Sequence, residues 1–291
     1  MKPTDGTKGR EEKMKLTFLG TAAAEGCPAL FCNCRACALA RERGGRDLRT
    51  RSQSLVNDDL LIDFPPDTLS HFQMNGLRGD RVENLLITHF HHDHYYWLDM
   101  RLHGSYYAYR MEREKLRILC PATVFDDLRP RLATLEREIL DTLELVRLEA
   151  YTTVDLGRYR VTPLPARHAP GSVAFFYVIE QGNKTLLYAH DTGYFYDEVL
   201  EFIQKRGWKF DLASFDCTYA QLPCDNEKNH MGLDTVARLT DVLREIGAVN
   251  EETRLFVNHF SHNGSPVHAE MEALAEPMGC SVAYDGCSVE F

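Results

Sequence analysis

The chain reads as an α/β protein. Three observations carry that reading: short apolar runs of strand length, amphipathic stretches at helical spacing between and after them, and ligand-type residues that sit just past several of the strand-like runs. In order, residues 1–13 are polar and charged with no apolar period and read as a flexible extension. Residues 15–20 read as a strand ending in Gly20. Residues 54–56 and 60–62 form a hairpin pattern about Asn57-Asp58-Asp59, and Pro65-Pro66 ends it. Residues 67–75 look helical, and 82–87 are a buried strand. Residues 123–148 carry apolar side chains at helical spacing with acids between. Strands follow at 159–165, 184–189 and 254–257, with helices at 195–205, 235–246 (Asp234 as N-cap) and 267–275. A last strand spans 281–284. No internal repeat is evident.

Composition bounds the function. At 291 residues and 44% hydrophobic, the chain builds a sizeable core but has no apolar run of membrane-spanning length. A net charge of −10 argues against gripping an extended nucleic acid, which needs a basic surface. Nine cysteines are too many to ignore and odd in number, which fits a reducing cytoplasm better than a disulfide framework. Cys120, Cys217, Cys224, Cys280 and Cys287 read as buried thiols, as does Cys27.

The most informative segment is His89-Phe90-His91-His92-Asp93-His94, directly after the 82–87 strand. Neutral imidazole suits divalent transition metals, and a carboxylate adds a hard ligand. His89 and His91 leave the strand on one side, while Asp93 and His94 fall in the following turn. That division suits two metals held side by side for hydrolysis.

This string resembles the signature of the metallo-β-lactamase superfamily. The resemblance implies a four-layer αββα sandwich over 14–291, with two metals at one edge. It also implies the remaining ligands: His168 after 159–165, Asp191 after 184–189 and His259 after 254–257. By that resemblance His89, His91 and His168 hold one ion, Asp93, His94 and His259 the other, and Asp191 bridges them. Asp63 occupies the place of an aspartate that braces the histidine loop by accepting a proton from a ligand imidazole.

A second cluster narrows the family. Cys32-Asn33-Cys34-Arg35-Ala36-Cys37 offers three thiolates within six residues, enough to wrap one structural zinc if a fourth ligand joins them. His262, in His259-Phe260-Ser261-His262, is the candidate. The combination with Phe18-Leu19-Gly20-Thr21-Ala22 resembles the phosphodiesterases of the bacterial carbon–phosphorus lyase pathway over residues 15–291.

The expected chemistry is attack by a metal-bridging hydroxide on a small cyclic nucleotide or ribose phosphodiester. Asp93 orients the hydroxide, and His230, in a loop just ahead of a helix, is the candidate general acid. His190 is left unassigned. The ions are zinc or manganese, which His and Asp ligands do not distinguish. A homodimer fits the family. Alternatives are a transfer-RNA 3′-processing nuclease, a thioester or lactone hydrolase, and an accessory protein like pyrroloquinoline-quinone biosynthesis protein B. Tyr95, Tyr96, Trp97, Tyr106, Tyr107 and Tyr109 read mostly as packing, within a segment at 95–120 expected to shape the substrate pocket. Arg35, Arg41, Arg43, Arg46, Arg49 and Arg51 read as a solvated face beside the cysteines.

Overall fold

In the computed structural model, which describes residues 13–264 and 266–291, the strands alternate between two partners in a way the side chains dictate. The 1–12 part of the polar extension lies outside the described residues. The strands are β1 (Lys15–Gly20), β2 (Gln53–Val56), β3 (Leu60–Ile62), β4 (Asn84–Leu86), β5 (Leu116–Cys120), β6 (Leu143–Arg147) and β7 (Val154–Asp155). They continue with β8 (Arg160–Pro165), β9 (Phe175–Gln181), β10 (Lys184–Ala189), β11 (Leu212–Asp216), β12 (Arg254–Asn258), β13 (Cys280–Val282) and β14 (Ser288–Glu290). The helices are α1 (Arg35–Arg43), α2 (Thr68–Met74), α3 (Ala122–Leu132), α4 (Arg137–Leu140), α5 (Asp197–Arg206), α6 (Leu233–Glu245) and α7 (His268–Ala275).

One seven-stranded sheet runs β14-β1-β2-β3-β4-β5-β6 and the other β13-β12-β11-β10-β9-β8-β7. Both are mixed: β3 to β6 are parallel, as are β10 to β13, and the remaining pairs are antiparallel. Strand β9 shows why the layers form. Phe175, Tyr177 and Ile179 face the other sheet, where they meet Phe18, Ile62 and Leu86. Phe176 and Val178 point the opposite way, into a core with Val199 of α5 and Val236 of α6. With a period of two, a strand apolar at every position must be covered on both faces. The first sheet is covered likewise: Leu85 and Ile118 pack with Val124 and Leu128 of α3. The order helix, sheet, sheet, helix is the expected αββα sandwich.

Five local readings need correction. Residues 143–147 are strand β6, not helix; paired to β5 over Leu116↔Leu143 to Cys120↔Arg147, they take their conformation from the sheet. Helix α6 begins at Leu233 with Gly232 as its N-cap, and Asp234 lies in the first turn. Tyr106, Tyr107 and Tyr109 are exposed rather than packed, whereas Tyr95 is buried and donates to Asp127 Oδ2. Arg49 is buried, donating to Thr21 Oγ1 and the Ala283 carbonyl, so only part of the arginine run is a solvated face. All nine cysteines are free; Cys120, Cys217, Cys224 and Cys280 are buried, and Cys27 and Cys287 half-buried.

Candidate metal centre

The cleft lies where strands of both sheets end. His89, His91, Asp93 and His94 follow β4, His168 follows β8, Asp191 follows β10, Asp216 ends β11 and His259 follows β12. Asp63, Asp191 and His259 adopt left-handed backbone angles, φ of 65°, 55° and 63°. Non-glycine residues in that region carry strain, which concentrates at functional sites.

The seven sequence-predicted side chains converge into two groups that share Asp191. His89, His91, His168 and Asp191 place one ligand atom each within 4.8 Å of one another, and so do Asp93, His94, Asp191 and His259. Within the first group, His91 Nδ1 lies 2.9 Å from His89 Nε2 and 3.1 Å from His168 Nε2. Within the second, Asp191 Oδ2 is 2.7 Å from His94 Nε2 and 3.4 Å from His259 Nε2. His259 Nε2 and Asp191 Oδ1 are buried without a hydrogen-bond partner. Buried polar atoms of that kind are costly unless something unseen pairs with them. Three imidazoles crowded nitrogen to nitrogen beside a carboxylate fit a divalent cation.

Several of these imidazoles are also held from their far side. Asp63 Oδ2 is 2.7 Å from His94 Nδ1, and Asp63 Oδ1 accepts from the Thr88 backbone N–H at 2.8 Å. His168 Nδ1 faces the Asn229 carbonyl at 3.2 Å, and His259 Nδ1 faces Thr218 Oγ1 at 2.8 Å. Burial holds His89, His91 and His168 below the ordinary imidazole range, favouring their neutral, ligating form. Burial opposes the charge on Asp93 and Asp191, but His94 beside the one and His259 beside the other outweigh it and keep both ionised.

His230 lines the same cleft. Its Nδ1 lies 3.0 Å from Asp216 Oδ2 and 3.2 Å from Asp191 Oδ1. Burial works against its charge, yet Asp216 and then Asp191 raise it to about 9. His190 points elsewhere, with Nε2 2.7 Å from Ser214 Oγ. No residue of the 95–120 segment lines the cleft, contrary to expectation. Met100, Leu102 and Ala108 instead face an apolar cavity of about 380 Å³ beside α2. Tyr95, Trp97 and Met100 pack against the sheet's outer side, in one apolar cluster with Leu61, Phe72 and Leu85.

Asp216 and Thr218 are the residues that sequence reasoning missed. The signal was present: Leu212-Ala213-Ser214-Phe215-Asp216 ends in an aspartate just as the 184–189 run leads into Asp191. Beside the cleft, Cys32, Cys34, Cys37 and His262 also lie within 4.8 Å of one another. His262 Nδ1 is 3.4 Å from Cys34 Sγ and 3.6 Å from Cys32 Sγ. A tetrahedral zinc with bonds of about 2.0–2.3 Å needs ligand separations of roughly 3.5–3.8 Å. The Cys37 backbone N–H pulls the Cys34 thiol down to about 6, toward the ligating thiolate.

An αββα sandwich whose strand ends gather five histidines and two aspartates around a shared carboxylate defines a metal-dependent hydrolase of the metallo-β-lactamase fold. More particularly, the chain belongs to the beta-lactamase superfamily domain family, whose profile matches residues 59–260. Ribonuclease Z of Picrophilus torridus is 24% identical over 154 residues, covering 53% of this chain and 44% of that protein. The match therefore spans less than half the length of that relative. A diphosphatase of the PhnP family shares the fold at a TM-score of 0.72 and 21% identity, over 96% of this chain and 98% of that one. Zn²⁺-bound PqqB of Methylobacterium extorquens does so at 0.71 and 20%, over 94% and 99%. No helix among the described residues is long and apolar enough to cross a membrane.

Proposed function

We propose that this chain is a two-metal phosphodiesterase acting on small cyclic nucleotide or ribose phosphodiesters in the cytoplasm. The observation that carries the reading is the placement of His230, backed by Asp216, in the same cleft as the shared-carboxylate cluster. His89, His91, His168 and Asp191 would hold one divalent ion, zinc or manganese, and Asp93, His94, Asp191 and His259 the other. When bound, such a pair supplies water activation near neutral pH and neutralises charge on phosphoryl oxygens.

The chain's own residues do the rest. Asp63 accepts the Nδ1 proton of His94 and so presents Nε2 to the cleft; the Asn229 carbonyl does the same for His168. Asp93, largely buried at the cleft floor, orients the attacking water. Asp216 accepts the Nδ1 proton of His230, leaving Nε2–H without a partner among the described residues and free to donate to a leaving alkoxide. A cleft of about 340 Å³ suits a small diester. Cys32, Cys34, Cys37 and His262 would hold a third ion, a structural zinc that pins the cysteine loop to the segment carrying His259.

Hydrolysis of bis(p-nitrophenyl) phosphate tests the reading. Metal-free protein should be inactive, zinc or manganese should restore release of nitrophenol, and Asp93→Ala should abolish it. Two ions bound with no turnover of any diester would point instead to ester or thioester substrates, or to an accessory role.

A further inference from the structure

The floor of the cleft is accounted for, but its upper wall is not. Ala23, Ala24 and Glu25 form one part of that wall, and Ser261, Asn263 and Gly264 another. Beyond the histidine and aspartate cluster, Glu25 is the one charged side chain among the described lining residues, and no lysine or arginine lines the cleft. Two nearby guanidinium groups, those of Arg167 and Arg51, are committed elsewhere. Arg167 pairs with Glu227 at 3.0 Å and lies 4.3 Å over the Tyr196 ring. Arg51 pairs with Asp67 at 3.0 Å while its Nε–H donates to the Ala24 carbonyl.

Glu25 is held in place rather than loosely displayed. The Ala23 N–H donates to the Phe260 carbonyl at 3.0 Å, and the Gly26 N–H donates to the Ala23 carbonyl at 3.0 Å. Ser261 Oγ–H donates to Glu25 Oε1, which also lies 3.8 Å from His262 Nε2, while Oε2 has no hydrogen-bond donor among the described residues. An ionised carboxylate only accepts hydrogen bonds, so its free oxygen welcomes a hydroxyl and repels a phosphate. Sites for diphosphates or nucleic acids need the opposite, guanidinium or ammonium groups along the wall.

We infer that Glu25 selects the leaving group, accepting hydrogen bonds from the hydroxyls of an uncharged sugar and excluding leaving groups that carry a further phosphate. The inference rests on the phosphodiesterase reading of the same cleft. It makes the substrate a diester with a single negative charge.

Adenosine 2′,3′-cyclic phosphate and its 5′-phosphorylated derivative share the scissile group and differ in a terminal phosphate that adds about 1.5–2 negative charges at pH 7. With metal-loaded wild-type protein, kcat/KM should favour the 5′-hydroxyl compound by about tenfold or more, equivalent to about 1.4 kcal/mol. Glu25→Gln keeps an oxygen for Ser261 and should shrink the preference to about threefold or less, chiefly by admitting the phosphorylated substrate. Glu25→Asp should retain it. Calorimetry with the products reads the same contrast without turnover: adenosine 3′-phosphate should bind tighter than adenosine 3′,5′-bisphosphate, and Glu25→Gln should narrow the gap. Equal losses on both substrates, with the ratio unchanged, would show that Glu25 only braces Ser261 and would overturn the inference. Turnover of bis(p-nitrophenyl) phosphate without discrimination between the two nucleotides also overturns it and leaves the phosphodiesterase standing. Turnover of no diester at all removes both.

Discussion

Gly193 sits two residues past Asp191, and a Cβ built there would lie 1.9 Å from the Lys228 carbonyl oxygen and 3.1 Å from Arg167 Cδ. Real Cβ contacts do not fall below 3.0 Å, so Gly193→Ala forces that carbonyl back by about 1 Å. The arginine stem can move aside; the carbonyl cannot move alone. It belongs to Lys228-Asn229-His230, the segment that carries both the proposed acid and the carbonyl facing His168 Nδ1. A 1 Å misplacement of a catalytic group costs about 10² in rate, and overpacking costs about 1–3 kcal/mol of stability. Gly193→Ala should therefore lower kcat/KM by about a hundredfold with a drop in Tm of a few degrees. Gly79→Ala is the control, because its Cβ would sit 3.7 Å from the Phe72 ring and displace nothing. The assay is kcat/KM on an alkyl phosphodiester beside thermal unfolding of both variants. If Gly193→Ala lost stability but kept activity within about threefold of wild type, the 228–230 segment would not position the acid, and the reasoning would fail.

Three further outcomes follow from the geometry. Asp216→Asn removes the charge that sustains the His230 imidazolium, so kcat on alkyl leaving groups should fall by about 10²–10⁴, while p-nitrophenolate, which needs no proton, should be nearly unaffected; equal losses on both would deny the acid role. His71, hydrogen-bonded to Thr50 and Gln53, is pushed down by burial to about 4 from an ordinary 6.5, with Asp67 opposing only in part. Because the unfolded chain then takes up the proton first, stability is full above about pH 6.5 and falls by up to about 3 kcal/mol as pH drops toward 4. Urea unfolding at pH 7 and pH 4.5 should show that slope reduced in His71→Gln, and an identical slope would contradict it. Cys34→Ser should cost the protein one zinc per chain and lower its Tm while leaving the His/Asp centre loaded, as read by elemental analysis; unchanged zinc content would remove the knuckle assignment.

Much of the site was legible because its chemistry is written locally. His89 to His94 fall in one run whose strand-then-turn context is short-range, and Cys32, Cys34 and Cys37 are likewise adjacent. His168, Asp191 and His259 were legible as residues past strand-like runs, although their convergence is a property of the two sheets. Asp216 escaped because its partner His230 lies in a loop that only the fold brings to 3.0 Å. Glu25 escaped for a similar reason: nothing in Ala23-Ala24-Glu25 marks a cleft until the Phe260 carbonyl holds that turn beside Ser261. Residues 143–147 misled because alternating Leu, Glu and Val also match a helical count. Register with β5 decided the matter, and register is a long-range property. The aromatic segment after His94 looked like a pocket wall by proximity in sequence, yet the chain turns away and lays Trp97 and Met100 against the outer core.

A pair of ions sharing Asp191 is tested most directly by metal titration of the metal-free protein with turnover followed in parallel. Manganese or zinc should occupy two sites at the His/Asp centre, with hydrolysis of bis(p-nitrophenyl) phosphate rising as the second fills, and Asp191→Asn should bind fewer ions and stay inactive. Turnover at full rate with no ion bound, or a wild-type occupancy unchanged by Asp191→Asn, would contradict the account.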